Sequence, residues 1–210
     1  MVPAEEDLEK ALTARNIPGI QETLKNGRVA IAGLGGLGSN IAVMLARIGV
    51  GRLLLVDHDR VEPSNLNRQY YDLTHLGLLK TEALKSQIDK INPFVETETR
   101  AALVTGDNAL EIFRDYPIVC EAFDNAQNKA VLVNTLLEEG GKKIVAASGL
   151  AGFDSANKIK TRRMFRNLYV CGDFEPPGRE ASGLMAPRVA VCAGHQANMV
   201  LRLLLDLEEE

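Results

Sequence analysis

The sequence predicts an α/β fold: a mostly parallel sheet with helices on both faces, a C-terminal antiparallel extension and a final long helix. Three observations predict it. Short apolar runs alternate with helix-length stretches from about residue 28 to 147. The first apolar run, Val29 to Ala32, leads straight into Gly33, Gly35, Gly36 and Gly38 and then a helix-like segment. The second, Leu53 to Val56, ends on an acid, Asp57.

Each element has its own signal. Residues 1–27 form a helical preface, with Leu8, Leu12 and Ile20 apolar and Pro18-Gly19 as a break. A strand follows at 28–33, then a helix at 38–48 with Ile41, Leu45 and Ile48 on one face and Gly49 as its stop. The second strand covers 52–57. Asp59 to Thr74 is too long and too polar for a simple connector. A helix begins at Lys80 and ends before Asn92-Pro93, because a residue preceding proline resists the α conformation. Val95 to Val104 reads as a third strand and 107–114 as a helix. Ile118 to Phe123 is a buried strand ending at Asp124-Asn125, followed by a helix at 127–138 and a strand at 143–147. Beyond Gly152, Ile159 to Met164 and Leu168 to Val170 read as short strands around a turn. Gly172 to Arg179, with Pro176-Pro177-Gly178, is a loop. Pro187 opens the last helix, to about Leu207; its apolar residues fall on several faces, so it belongs in the core or at a subunit contact. The division is a preface at 1–27 and one domain at 28–210. In such a Rossmann-like arrangement right-handed crossovers bring Gly33, Asp57, Asp124 and Gly149 to one crevice past the strand ends.

The bulk properties narrow the function classes. The chain has 210 residues, 46% hydrophobic and 25% charged, an ordinary globular composition. A net charge of −4 gives no bulk attraction to nucleic acid or to an anionic membrane. No apolar run reaches membrane-span length, and the acidic, polar N-terminus does not read as a signal peptide. Three widely spaced cysteines, Cys120, Cys171 and Cys192, point to a reduced, cytoplasmic setting.

The chemistry-bearing residues cluster around the glycines. Gly33, Gly35, Gly36 and Gly38 turn without Cβ clashes and expose a helix N-terminus to an anion, with Ser39 as a polar group near phosphate rather than a nucleophile. Asp57 suits a ribose hydroxyl pair. Asn65-Leu66-Asn67-Arg68-Gln69 and then Lys80 add nucleotide-binding candidates: arginine offers a fork for phosphate, lysine a point charge. Asp124 has two readings, a carboxylate that holds Mg²⁺ through substrate phosphates or a cap for the helix beginning near Ala126. Asp59 reads as ordering the 57–65 turn. His58, His75 and His195 lack metal-like spacing and read as structural, and no Ser/His/Asp order stands out.

At these residues the chain resembles the ThiF/MoeB/HesA family, relatives of ubiquitin-activating enzymes, over about residues 24–205. The marks are Gly33 to Ser39, the run Asp57-His58-Asp59-Arg60-Val61-Glu62-Pro63-Ser64-Asn65-Leu66-Asn67-Arg68-Gln69, Lys80, Ile91-Asn92-Pro93, Asp124-Asn125 and Gly183-Leu184-Met185-Ala186-Pro187. The resemblance implies a nucleotidyltransferase that joins AMP from ATP to the terminal glycine of a small ubiquitin-fold carrier protein ending in Gly-Gly, releasing pyrophosphate. It implies Asp57 on the ribose, Asn65, Arg68 and Lys80 around the phosphates, Mg²⁺ on Asp124, a homodimer, and an N-terminal arginine, here Arg15, reaching the partner subunit's site. Short relatives without the two CxxC pairs resemble the ThiF type of thiamine thiazole synthesis, with a ThiS-like carrier and no zinc. By alignment Arg179 stands where some relatives hold a cysteine, which argues against a covalent carrier thioester there; Cys171 is the substitute candidate. Lys129 stands where relatives often have arginine.

Three other readings stay open. A nicotinamide-dependent dehydrogenase shares the glycines and Asp57 but leaves Arg68, Lys80 and Asp124 without a role. The branch of the same family that dehydrates threonylcarbamoyladenosine in tRNA also uses ATP; the net charge and the lack of a basic run count against it. A non-catalytic interaction module of this fold is opposed by the intact nucleotide residues.

Overall fold

The computed structural model describes residues 5–148, 152–175 and 183–209. Seven strands form one sheet in the order β3-β2-β1-β4-β5-β7-β6. Strands β1 (Arg28–Ala32), β2 (Arg52–Val56), β3 (Glu96–Arg100), β4 (Ile118–Glu121) and β5 (Lys143–Ala147) are parallel. β7 (Leu168–Gly172) pairs parallel with β5, and β6 (Lys160–Phe165) closes the edge antiparallel to β7.

The expected preface is two helices, α1 (Glu5–Thr13) and α2 (Gln21–Asn26). The break falls where the sequence sets Pro18-Gly19, and Gly19 takes φ +90°. The expected third strand is shorter than Val95 to Val104. Arg100 pairs with Val56, the last residue of β2, so Ala101 onward has no strand to pair with. It turns instead into a wall of the crevice.

Alternate side chains of β1 explain the two-layered core. Val29 and Ile31 pack with Ile41 and Leu45 of α3 (Gly36–Ile48) and with Cys192 and Val200 of α7 (Ala186–Leu204). Ala30 and Ala32 face the other layer, with Phe113, just past α5 (Gly106–Ile112), and Leu132 and Leu136 of α6 (Ala126–Glu139). Helix α4 (Lys80–Ile91) joins the first layer through Leu84 and Ile88. The final helix is thus a core element, buried along Val189, Cys192, Ala193, Gln196 and Val200. No helix among the described residues is long and apolar enough to cross a membrane.

Candidate active site

A cavity of about 970 Å³ opens past the C-terminal ends of the parallel strands. The glycines shape one wall. Gly33 leaves β1 at φ +89°, and a Cβ there would stand 2.9 Å from the Ala122 carbonyl oxygen. At Gly38 a Cβ would lie 1.8 Å from the Gly33 carbonyl oxygen, so only glycine lets α3 start this close to the strand. Helix α3 has no side-chain cap at Gly35, which leaves its first amides for an anion.

Asp57 is buried at the tip of β2. Its Oδ2 accepts from the Leu34 amide at 2.6 Å and its Oδ1 from the Asp59 amide at 2.8 Å. The carboxylate therefore pins the glycine turn as well as lining the cavity. Ser39 is fully buried; its Oγ donates to the Gly35 carbonyl at 2.6 Å and accepts from the Tyr70 amide at 2.9 Å. It ties helix α3 to the polar stretch and is not among the lining residues. Asn65 is likewise not among them: its Oδ1 accepts from the Glu62 amide at 3.0 Å and closes the turn.

Arg68, Gln69 and Lys80 come together in the cavity wall. The Arg68 stem crosses Gly36, its Cγ 3.5 Å from where a Cβ would stand. Its Nη1 donates to Asn67 Oδ1 at 2.8 Å and to the Ser64 carbonyl at 3.1 Å. Gln69 is buried with its Oε1 unpartnered. Lys80, 6% exposed, holds Asp59 at 2.7 Å. Asp59 thus does more than order a turn: it is the counter-ion of a cavity lysine.

The helix cap read as one alternative for Asp124 belongs to its neighbour. Asn125 Oδ1 accepts from the Gln127 and Asn128 amides at 2.9 and 3.0 Å. Asp124 is exposed at the cavity wall, with no hydrogen bond or ion pair to the described residues. Arg15 is not a lining residue. Its neighbour Asn16 donates to the Ile48 carbonyl at 2.9 Å, at the far end of α3 from the glycines. That helix has 13 residues, about 20 Å at 1.5 Å each.

Of the histidines read as structural, His75 and His195 are engaged in the fold: His75 accepts from the Asp72 amide at 3.1 Å and His195 Nδ1 lies 3.1 Å from Thr161 Oγ1. His58 differs. It lines the cavity, and its ligand atom lies within 4.8 Å of those of Asp57 and Asp59. Cys171 is a buried residue of β7, and burial pushes its thiol up to about 11. Burial also raises Cys192, to about 12, and Cys120. None of the three is a poised thiolate. Gly149 and Arg179, and the run Pro176-Pro177-Gly178, lie outside the described residues.

Sequence reasoning missed two cavity cations' partners. Arg188, 5% exposed, pairs with Asp173 at 2.8 Å. Lys129 pairs with Glu121, a carboxylate fully buried at the end of β4. Neither pair, eight and fifteen residues apart, falls on a helix or strand repeat that the sequence would show. The one available hint was a glutamate in an otherwise apolar strand. In all, six carboxylates and four Lys or Arg side chains line the cavity among the described residues.

Comparison with known proteins finds matches along nearly the whole chain. The ThiF family model matches residues 9–210. The adenylyltransferase and sulfurtransferase UBA4 of Saccharomyces cerevisiae (strain YJM789) is 32% identical over 194 residues, covering 89% of this chain and 44% of its own. The adenylyltransferase and sulfurtransferase MOCS3 of Dictyostelium discoideum is 32% identical over 198 residues, 90% of this chain and 45% of its own. The chain thus spans less than half the length of these two relatives. Among solved structures, E. coli tRNA N6-threonylcarbamoyladenosine dehydratase TcdA in complex with ATP superposes with a TM-score of 0.87 at 20% identity, covering 98% of both chains. E. coli MccB with AMPCPP and MccA gives 0.70 at 25% identity, over 90% of this chain and 59% of that one.

Proposed function

The chain belongs to the ThiF family, and from that premise we propose that it is an ATP-dependent adenylyltransferase acting on the C-terminal glycine carboxylate of a small ubiquitin-fold carrier protein. One observation carries the reading: Arg68 crosses the glycine turn and shares a cavity with Lys80, Asp57 and Asp124. The sequence resemblance asks for that arrangement, and a dehydrogenase has no use for it. The two curated relatives bear adenylyltransferase in their names, which supports the same chemistry.

The reaction needs no general base, because a carboxylate is ionised at neutral pH. An oxygen of the carrier's terminal carboxylate attacks the α-phosphorus of ATP. The bond from that phosphorus to the β-phosphate bridging oxygen breaks, and pyrophosphate departs with the electron pair. The barrier is electrostatic, anion against anion. Arg68, Lys80 and the amides at the start of α3 offset it. Among the described residues the wall is net acidic, so a polyphosphate calls for a further cation. Asp124, unpartnered and exposed, fits Mg²⁺ bound through one carboxylate plus substrate phosphates. Mg²⁺ would neutralise charge on the departing pyrophosphate. A reducing compartment, the cytoplasm, suits its three buried free thiols, and a homodimer suits Arg15, which does not line its own cavity and follows the family resemblance to the partner's.

ATP–pyrophosphate exchange against a panel of ubiquitin-fold proteins ending in Gly-Gly, a ThiS-like carrier of thiamine thiazole synthesis among them, tests the reading. Exchange driven by one member supports it; ATP binding by none of the protein ends it. A second reading, ATP-dependent dehydration of a carboxylate on tRNA, has a specific observation of its own. The expectation that the chain has no basic run is corrected here: Lys158, Lys160, Arg162, Arg163 and Arg166 fall within nine residues that hold no acid, on and beside edge strand β6. Gel shifts with tRNA separate the two.

A further inference from the structure

Strand β4 reads Ile118-Val119-Cys120-Glu121, and all four residues are buried. A central parallel strand covered on both faces normally reads as an apolar run. A buried ion pair stabilises a fold no better than apolar residues of similar size. Packing therefore gives no reason for Glu121, but its contacts do. Oε1 accepts from the Phe123 amide at 2.7 Å, and Oε2 accepts from Lys129 Nζ at 2.5 Å. Gln196 Nε2 donates to the backbone carbonyls of Glu121, at 3.1 Å, and Val145, at 3.2 Å, which fixes the strand end.

Lys129 lies near the start of α6, its side chain 23% exposed, in the cavity wall. A cation at a helix N-terminus faces the unfavourable end of the dipole. Burial opposes ionisation of Glu121 while Lys129 favours it, and the ion pair holds the ammonium in place. The sheet order locates that ammonium. Asp57 follows β2, the glycines follow β1, Lys129 stands over the end of β4, and Ser148 and Asp173 follow β5 and β7. Lys129 thus divides the nucleotide half of the cavity from the half left for an acyl group.

Resting on the function proposed above, we propose that Glu121 is a positioning residue that holds Lys129 where the acyl group meets the α-phosphate. The pair then matters to the acyl-adenylate and little to ATP.

Glycyl-sulfamoyl adenosine, a stable acyl-adenylate mimic, tests this without a carrier protein, with ATP-Mg²⁺ as the paired ligand. In Glu121→Gln the mimic is expected to bind on the order of tenfold more weakly, and ATP within about threefold of the natural chain. Lys129→Met is expected to give the same selective loss, and Lys129→Arg to keep both affinities within about threefold. Should Glu121→Gln fail to fold, the Lys129→Met and Lys129→Arg comparison decides. Equal losses for both ligands, no loss, or failure of Lys129→Arg to rescue overturns the positioning role. A natural chain that binds neither ligand removes the functional reading and this role with it. One that binds both while the variants stay normal removes this role alone.

Discussion

Lys80 is held twice by Asp59. Its Nζ lies 2.7 Å from Asp59 Oδ2, and its backbone N–H donates to the Asp59 carbonyl at 3.0 Å. The lysine is therefore aimed into the cavity with its charge already partly offset. Arg68 is different: its hydrogen-bond partners are a side-chain amide and a backbone carbonyl, both neutral.

That contrast sets the order of effects on catalysis. A hydrogen bond to a charged group is worth about 1.5–3 kcal/mol, so Arg68→Ala should lower ATP–pyrophosphate exchange on the order of ten- to a hundredfold. Lys80→Ala should cost at least as much, because it leaves Asp59 unpaired beside the phosphates. Adding Asp59→Asn to Lys80→Ala should return part of the loss. Exchange rates and ATP affinities of the three variants check this; a double variant worse than Lys80→Ala contradicts it.

Helix α3 can be displaced by one methyl group. In Gly38→Ala the new Cβ meets the Gly33 carbonyl oxygen, a backbone atom that cannot step aside. Urea unfolding should show a loss of about 1–3 kcal/mol, the range for overpacking. Nucleotide affinity should fall with it, since the anion-facing amides move. Gly77→Ala is a useful contrast: no atom lies within 4 Å of the added Cβ, though φ is +81°.

Stability should decline in alkali. Below an unfolded thiol pKa of about 8.5 the cysteines are neutral in both states. Above it the unfolded chain releases protons that the folded chain retains, up to about 11 at Cys171 and about 12 at Cys192. Each thiol then withdraws about 1.4 kcal/mol per pH unit. Denaturation midpoints between pH 8 and 11 read this, and Cys171→Ala should flatten the slope. The same variant should keep exchange within about twofold, a limit of about 0.4 kcal/mol. At pH 8 a thiol reagent should find three reactive groups only after unfolding.

Subunit mixing tests Arg15. If it serves the partner's cavity, Arg15→Ala and Arg68→Ala chains are each strongly impaired alone. Mixed, they form heterodimers with one intact site, and about a quarter of natural activity returns for random pairing in a two-fold dimer. If Arg15 serves its own cavity, every site in the mixture is damaged and nothing returns.

Much of this was legible beforehand, for local reasons. The apolar runs and stops placed β1, β2, β5, α3 and α4 because helix and strand periodicities are written along the chain. Gly33 and Asp57 announced the crevice through spacing. What stayed hidden depends on meetings between remote segments. Ser39 and Asn65 look like ligand groups in sequence but spend their oxygens on Tyr70 and Glu62. Pro187 marked a helix start without revealing that Arg188 would meet Asp173. Asp124 reads as a possible cap on paper, and the hydrogen bonds give that task to Asn125.

Among the described residues, strand β6 ends the sheet with a six-residue row of main-chain groups that no further strand covers, and Met164 and Phe165 stand exposed on it. Such a rim invites lateral stacking of one molecule on another. Lys160 and Arg162 make that stacking a meeting of like charges. Ionic strength then becomes a control on colloidal behaviour: at 1 M salt, where screening shortens to about 3 Å, the rim loses its repulsion and concentrated solutions should turn cloudy first.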